Sequence, residues 1–82
     1  MEAVKVNILV DSVNKVKGFV NIMYKSQHDV DLKSGNYVVD AKSIMGVFSL
    51  DVSHPVELTI HGNDANTENI LDELKSGGYI AD

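Results

Sequence analysis

The sequence predicts an α+β domain of order βαββαβα, with one antiparallel sheet and helices on one of its faces. Three patterns carry that expectation. Short segments alternate apolar and polar residues, as half-buried strands do. Others repeat apolar residues every three or four positions, as amphipathic helices do. Turn-forming residues rich in glycine, asparagine and serine separate them.

The first strand is read from Val4, Val6, Ile8 and Val10, which alternate with Lys5, Asn7 and Leu9. From Val13 the period changes. Val13, Val16, Val20 and Met23 form a helical stripe that Phe19 and Tyr24 widen, and the helix is expected to end near Ser26. Gly18 should weaken it by about 1 kcal/mol relative to alanine. Residues 29–40 read as a β-hairpin, with Val30 and Leu32 alternating with acids, a Ser34-Gly35-Asn36 turn, then Tyr37-Val38-Val39. A short helix is expected around Ser43, then a loop from Asp51 to Pro55. Val56, Leu58 and Ile60 alternate with Glu57, Thr59 and His61 as a fourth strand. A last helix from about Ala65 to Lys75 should bury Ala65, Ile70, Leu71 and Leu74, and Gly77-Gly78 should stop it.

Composition narrows the function. Eighty-two residues with 44% hydrophobic content make one domain, residues 1–82, with a small core. There are no cysteines, so disulfides and thiolate metal sites are excluded and a reducing, cytoplasmic setting is expected. No apolar run reaches membrane-spanning length, and the start lacks the pattern of a secretory signal. The net charge of −5 repels phosphate backbones, and few aromatics are present to stack bases, so nucleic acid is not an expected partner.

The densest signal is Asp40-Ala41-Lys42-Ser43-Ile44-Met45-Gly46-Val47-Phe48-Ser49-Leu50. It sets one serine between a lysine and an apolar run at the start of a short helix. Serine is a preferred N-cap, contributing about 1 kcal/mol, so Ser43 has a purely structural reading. Gly46 stands where a capping box needs Glu or Gln. The functional reading is a switch, because phosphorylation adds nearly two negative charges where helix N–H groups are free. Lys42 is adjacent, and Asp40 is the reservation, since its carboxylate opposes a phosphate.

This segment resembles the regulatory-serine segment of HPr, the small phosphocarrier of the bacterial phosphoenolpyruvate:sugar phosphotransferase system. The resemblance covers the chain in outline and is motif-level from Asp40 to about Leu50. It implies an HPr-like open-faced sandwich, a four-stranded antiparallel sheet with three helices on one face. It also implies that Ser43 is a regulatory phosphorylation site, modified in Gram-positive members by a dedicated kinase. Apolar side chains among Ile44, Met45, Val47 and Phe48 would then dock partner proteins.

The family's other hallmark is a phosphorylatable histidine in a Gly-Leu-His-x-Arg-Pro type motif. Counted back from Ser43 without gaps, that position falls at or near Ser12, in Val10-Asp11-Ser12-Val13-Asn14-Lys15. Serine has no imidazole, and the chain has no arginine to fork onto a phosphoryl group. Ser12 is therefore read as a degenerate phosphohistidine position. His28, His54 and His61 read as solvated surface residues. A metal site from His28, Asp29 and Asp31 is conceivable on chemistry alone, but the reading assigns no metal and no cofactor.

These residues together predict a non-enzymatic, HPr-like regulatory protein related to the Crh-like variant that keeps the serine and lacks the histidine. The resemblance implies cytoplasmic protein partners, namely an HPr kinase-like enzyme, a transcriptional regulator or a phosphotransferase component. A monomer or weak dimer is expected. Two alternatives stay open: a divergent binding module with Ser43 only a helix cap, and an atypical phosphocarrier using another histidine.

Overall fold

The computed structural model describes residues 2–81. Its elements are β1 (Val4–Ile8), α1 (Val13–Met23), β2 (Val30–Ser34), β3 (Tyr37–Asp40), α2 (Ile44–Phe48), β4 (Val56–Ile60) and α3 (Ala65–Ser76). The sheet order is β1-β4-β2-β3, antiparallel at every pairing. β1 and β2 therefore run parallel with β4 between them, and β3 and β4 run parallel with β2 between them. Two split βαβ units interlock, so helices from both units cover the same face.

Register decides which side chains are inside. Val4, Val6 and Ile8 lie opposite Ile60, Leu58 and Val56, while Val30 and Leu32 lie opposite Ile60 and Leu58. Because side chains alternate, one face collects these apolar residues and the other collects Lys5, Asn7, Asp31, Lys33, Glu57 and Thr59. The buried face joins Val16, Phe19, Val20 and Met23 of α1, Val47 of α2, and Ile70 and Leu74 of α3 in one core. The α+β reading and its segment order are borne out.

Four details differ from the expectation. Val13 and Tyr24 are mostly exposed, at 57% and 63%, because each lies at an end of α1 beyond the sheet's reach. Ala65 is exposed in the first turn of α3, and Thr67 is buried in its place, with its hydroxyl donating to Gly62 O at 2.8 Å. α1 stops at Met23 rather than near Ser26.

The fourth difference is at the C-terminal end. After α3, Gly78 N–H donates to Lys75 O and Tyr79 N–H to Leu74 O, a Schellman-type stop that reverses the chain. Residues 79–81 then run along the outer edge of β1, with Leu9 N–H donating to Tyr79 O at 2.9 Å and Ala81 N–H to Asn7 O at 2.8 Å. Tyr79 packs beside Phe19, ring centroids 6.4 Å apart. A Cβ built on Gly18 would lie 2.0 Å from the Tyr79 hydroxyl oxygen. Gly18 is thus a seat for Tyr79, which explains a glycine in mid-helix.

Candidate functional site

The Asp40–Ser43 turn is built by its own side chains. Asp40 Oδ1 accepts from Lys42 N–H at 2.9 Å, and Ser43 N–H donates to Asp40 O at 3.0 Å. This delivers Ser43 in an extended conformation (φ −97°, ψ 110°), the N-cap geometry of α2. Its Oγ accepts from Gly46 N–H at 3.1 Å, and its C=O accepts from Val47 N–H at 2.9 Å. The residue is exposed.

Lys42, adjacent to Ser43 in the chain, donates its ammonium to Ser26 O at 3.0 Å, near the C-terminal end of α1. One expectation about this segment needs correction. Val47 is fully buried, because the inward turn of α2 packs against α1 and β3 and joins the core, so it has no surface to offer a partner. Met45 and Phe48 do face outward, at 75% and 41% exposure, and Ile44 is half-buried against the core.

Ser12 is the N-cap of α1, its Oγ accepting from Lys15 N–H at 3.2 Å. It is exposed, and the nearby Lys15 ammonium lies 3.4 Å from Gly78 O on the C-terminal segment. Ser12 and Ser43 thus do the same local job, each capping a helix with its hydroxyl.

His54 and His61 are solvated surface residues as expected, and His28 is partly covered, but all three are paired. Each presents Nε2 to an aspartate: His28 to Asp64 at 2.8 Å, His54 to Asp51 at 3.3 Å, His61 to Asp31 at 2.6 Å. The His28 ring also lies flat against Gly62, with only 19% of its side chain exposed. Asp64 caps α3, and its carboxyl is held below the usual carboxylate range, first by the Thr67 N–H and then by His28. Asp51 is lowered likewise, chiefly by the Ser53 hydroxyl and N–H. Sequence reading missed these pairs because their members lie far apart in the chain, except His54 and Asp51, whose three-residue spacing was readable.

His28, Asp29 and Asp31 do not converge, since His28 turns to Asp64 and Asp31 to His61. Among the described residues no group of three or more histidine or acidic side chains is placed to hold a metal ion. Among the described residues no helix is long and apolar enough to cross a membrane.

A small open-faced α+β sandwich with a serine-capped second helix defines a class, and comparison narrows it. The family model described as "PTS HPr component phosphorylation site" matches residues 13–77. The chain belongs to the HPr family, whose members are phosphocarrier proteins rather than enzymes. It is similar to the crystal structure of HPr-C-His from Thermoanaerobacter tengcongensis, at 30% identity over 93% of this chain and 89% of that one, TM-score 0.71. The phosphocarrier protein HPr of Bacillus anthracis is 25% identical, with 92% and 93% of the two chains covered and a TM-score of 0.69. A Mycoplasma histidine-containing phosphocarrier protein shares the fold at 18% identity, covering 99% and 100%, TM-score 0.70. No curated protein sequence matches the chain.

Proposed function

We propose that this HPr-family chain is a non-enzymatic regulatory and binding protein, without a working phosphohistidine, that is controlled through Ser43. The observation that carries the reading is an exposed hydroxyl at the start of α2 beside the exposed Met45 and Phe48. A phosphate there adds charge at the rim of an apolar contact surface and changes which partner the surface suits. In the transfer, the γ-phosphoryl group of ATP moves to Ser43 Oγ, ADP leaves, and the hydroxyl proton passes to the kinase. The hydrogen bond that Ser43 Oγ accepts from Gly46 N–H orients the side chain.

Ser12 and the histidines both speak against a carrier function. Ser12 has no imidazole, and its neighbour Lys15 is directed to Gly78 O. Each histidine Nε2 is placed on an aspartate, and the chain has no arginine whose guanidinium could hold a phosphoryl group beside any of the three rings. This supports a Crh-like role in the cytoplasm, with an HPr kinase-like enzyme acting on the chain and a transcriptional regulator or phosphotransferase component as partner, in carbon catabolite control. The capping bond favours one rival, in which Ser43 is a cap and nothing more. Mass spectrometry after incubation with HPr kinase and ATP, and separately with Enzyme I and phosphoenolpyruvate, decides. Phosphoserine at Ser43 with no phosphohistidine is expected. No modification in either arm leaves the cap, and an acid-labile phosphate on a histidine revives the carrier.

A further inference from the structure

β3 is an outer strand, hydrogen-bonded within the sheet only to β2. Ala41 N–H donates to Val30 O, and a two-residue loop, Gly35-Asn36, joins the facing pair Ser34 and Tyr37. These fix the phase of the ladder, so Tyr37 and Val39 turn their peptide groups to β2 while Val38 and Asp40 turn theirs outward. Asp40 C=O is taken by Ser43 N–H, which leaves Val38 N–H, Val38 C=O and Asp40 N–H along the edge. Lysine, proline or a bulge commonly blunts such an edge. Tyr37-Val38-Val39-Asp40 is short and ends on a charge, but it has no lysine, proline or bulge, and Tyr37 and Val38 are 75% and 58% exposed. The opposite edge of the sheet, at β1, is covered by residues 79–81.

Charge says what this edge suits. Where β3 ends and β2 begins, Asp29, Asp31 and Asp40 line a cleft of about 450 Å³ with Lys42 and His61. Asp31 and Asp40 are cross-strand partners on the open face, an arrangement of like charges that is unfavourable on its own. His61 is placed on Asp31, and the Lys42 ammonium on Ser26 O. Among the described residues neither Asp29 nor Asp40 has an ion-pair partner.

We propose that the β3 edge binds an extended segment of a partner protein as an added antiparallel strand, reading basic–apolar–apolar–apolar from its N-terminus. The basic side chain lies opposite Asp40 and enters the acidic cleft. The next two lie opposite Val39 and Val38, and the last opposite Tyr37. Main-chain hydrogen bonds supply affinity and the alternating side chains supply specificity. A second copy of this chain suits the edge poorly. Antiparallel β3–β3 pairing sets tyrosine, not a cation, against Asp40, and each copy carries −5. The edge adjoins the Asp40–Ser43 turn, but strand addition there does not require phosphorylation of Ser43.

The test titrates the isotope-labelled full chain with the peptide Ac-Ser-Arg-Val-Val-Tyr-Ser-NH2, following amide shifts and hydrogen exchange. The expected result is slowed exchange at the Val38 and Asp40 amides and binding that weakens at about 0.5 M salt. Replacing arginine by glutamate, or the second valine by proline, is expected to weaken binding at least tenfold. Val38→Lys, at an exposed position, and Asp40→Lys are the chain variants, with circular dichroism checking the fold. Val38→Lys is expected to abolish binding, and Asp40→Lys to favour the glutamate peptide over the arginine one. Equal binding of the two peptides, shifts gathered on Met45 and Phe48 with unprotected β3 amides, or a concentration-dependent dimer through β3 each overturns the proposal.

Discussion

Gly18→Ala sets two magnitudes against each other. In an open helix the change gains about 1 kcal/mol, because alanine loses less backbone freedom. Here the new Cβ lies 2.0 Å from the Tyr79 hydroxyl oxygen and 3.3 Å from Cζ. The oxygen must retreat by more than about 1 Å to reach ordinary van der Waals separation. The ring is not free to do so cheaply. On its other side it lies against Gly77, where a Cβ would be 2.5 Å from Tyr79 Cε2, and it packs near Phe19. Displacing it weakens an aromatic pair worth about 0.5–1.5 kcal/mol. It also strains backbone hydrogen bonds of residues 79–81 to β1, each worth about 1 kcal/mol. The net expectation is a loss of about 1–2 kcal/mol, or roughly 4–16 °C in Tm for a domain of this size. Urea unfolding followed by circular dichroism measures it. Tyr79→Phe supplies the internal control, since removing the hydroxyl leaves only the 3.3 Å contact. In that background Gly18→Ala should cost little or stabilise, a coupling of more than about 1 kcal/mol in the double-mutant cycle. If Gly18→Ala stabilises the otherwise unaltered chain, the seat is illusory and Tyr79 moves freely.

Other expectations can be checked alongside. Leu58→Ala, at a fully buried residue of a central strand, should cost about 2–5 kcal/mol in the same unfolding assay. Ser43→Ala should abolish modification by HPr kinase while costing about 0.5–2 kcal/mol of stability; equal modification of both chains would place the switch elsewhere. Asp51 and Asp64 are held below the ordinary aspartate range in the folded chain, so the stability they contribute is present above that range and is lost as pH falls through their lowered pKa values. Asp64→Asn should flatten that part of an acid-unfolding profile, and an unchanged profile would remove Asp64 as a contributor. No phosphate from phosphoenolpyruvate is expected on His28, His54 or His61, as phosphate-specific mass spectrometry under alkaline conditions can show.

What was legible in the chain follows from the range of the interactions involved. Val56, Leu58 and Ile60 announce a strand by themselves, and all three are buried on one face. Ser43 announces a cap, because the bond it accepts comes from three residues away. Val13 and Tyr24 misled because periodicity marks a stripe but not where the sheet beneath it ends. Val47 misled for a related reason: apolar residues on a five-residue helix look alike until the core beneath shows which one it needs. Lys42, the three histidine–aspartate pairs and the tail on β1 depend on partners brought close only by folding. Gly18 joins both cases. Its cost to α1 could be read locally, but its reason is Tyr79, which arrives from the far end of the chain. The candidate site residues divide in the same way. The serine that caps α2 was readable from its own neighbourhood, whereas the acidic cleft beside β3 needed the pairing of Asp31 with Asp40 before its charge had a place.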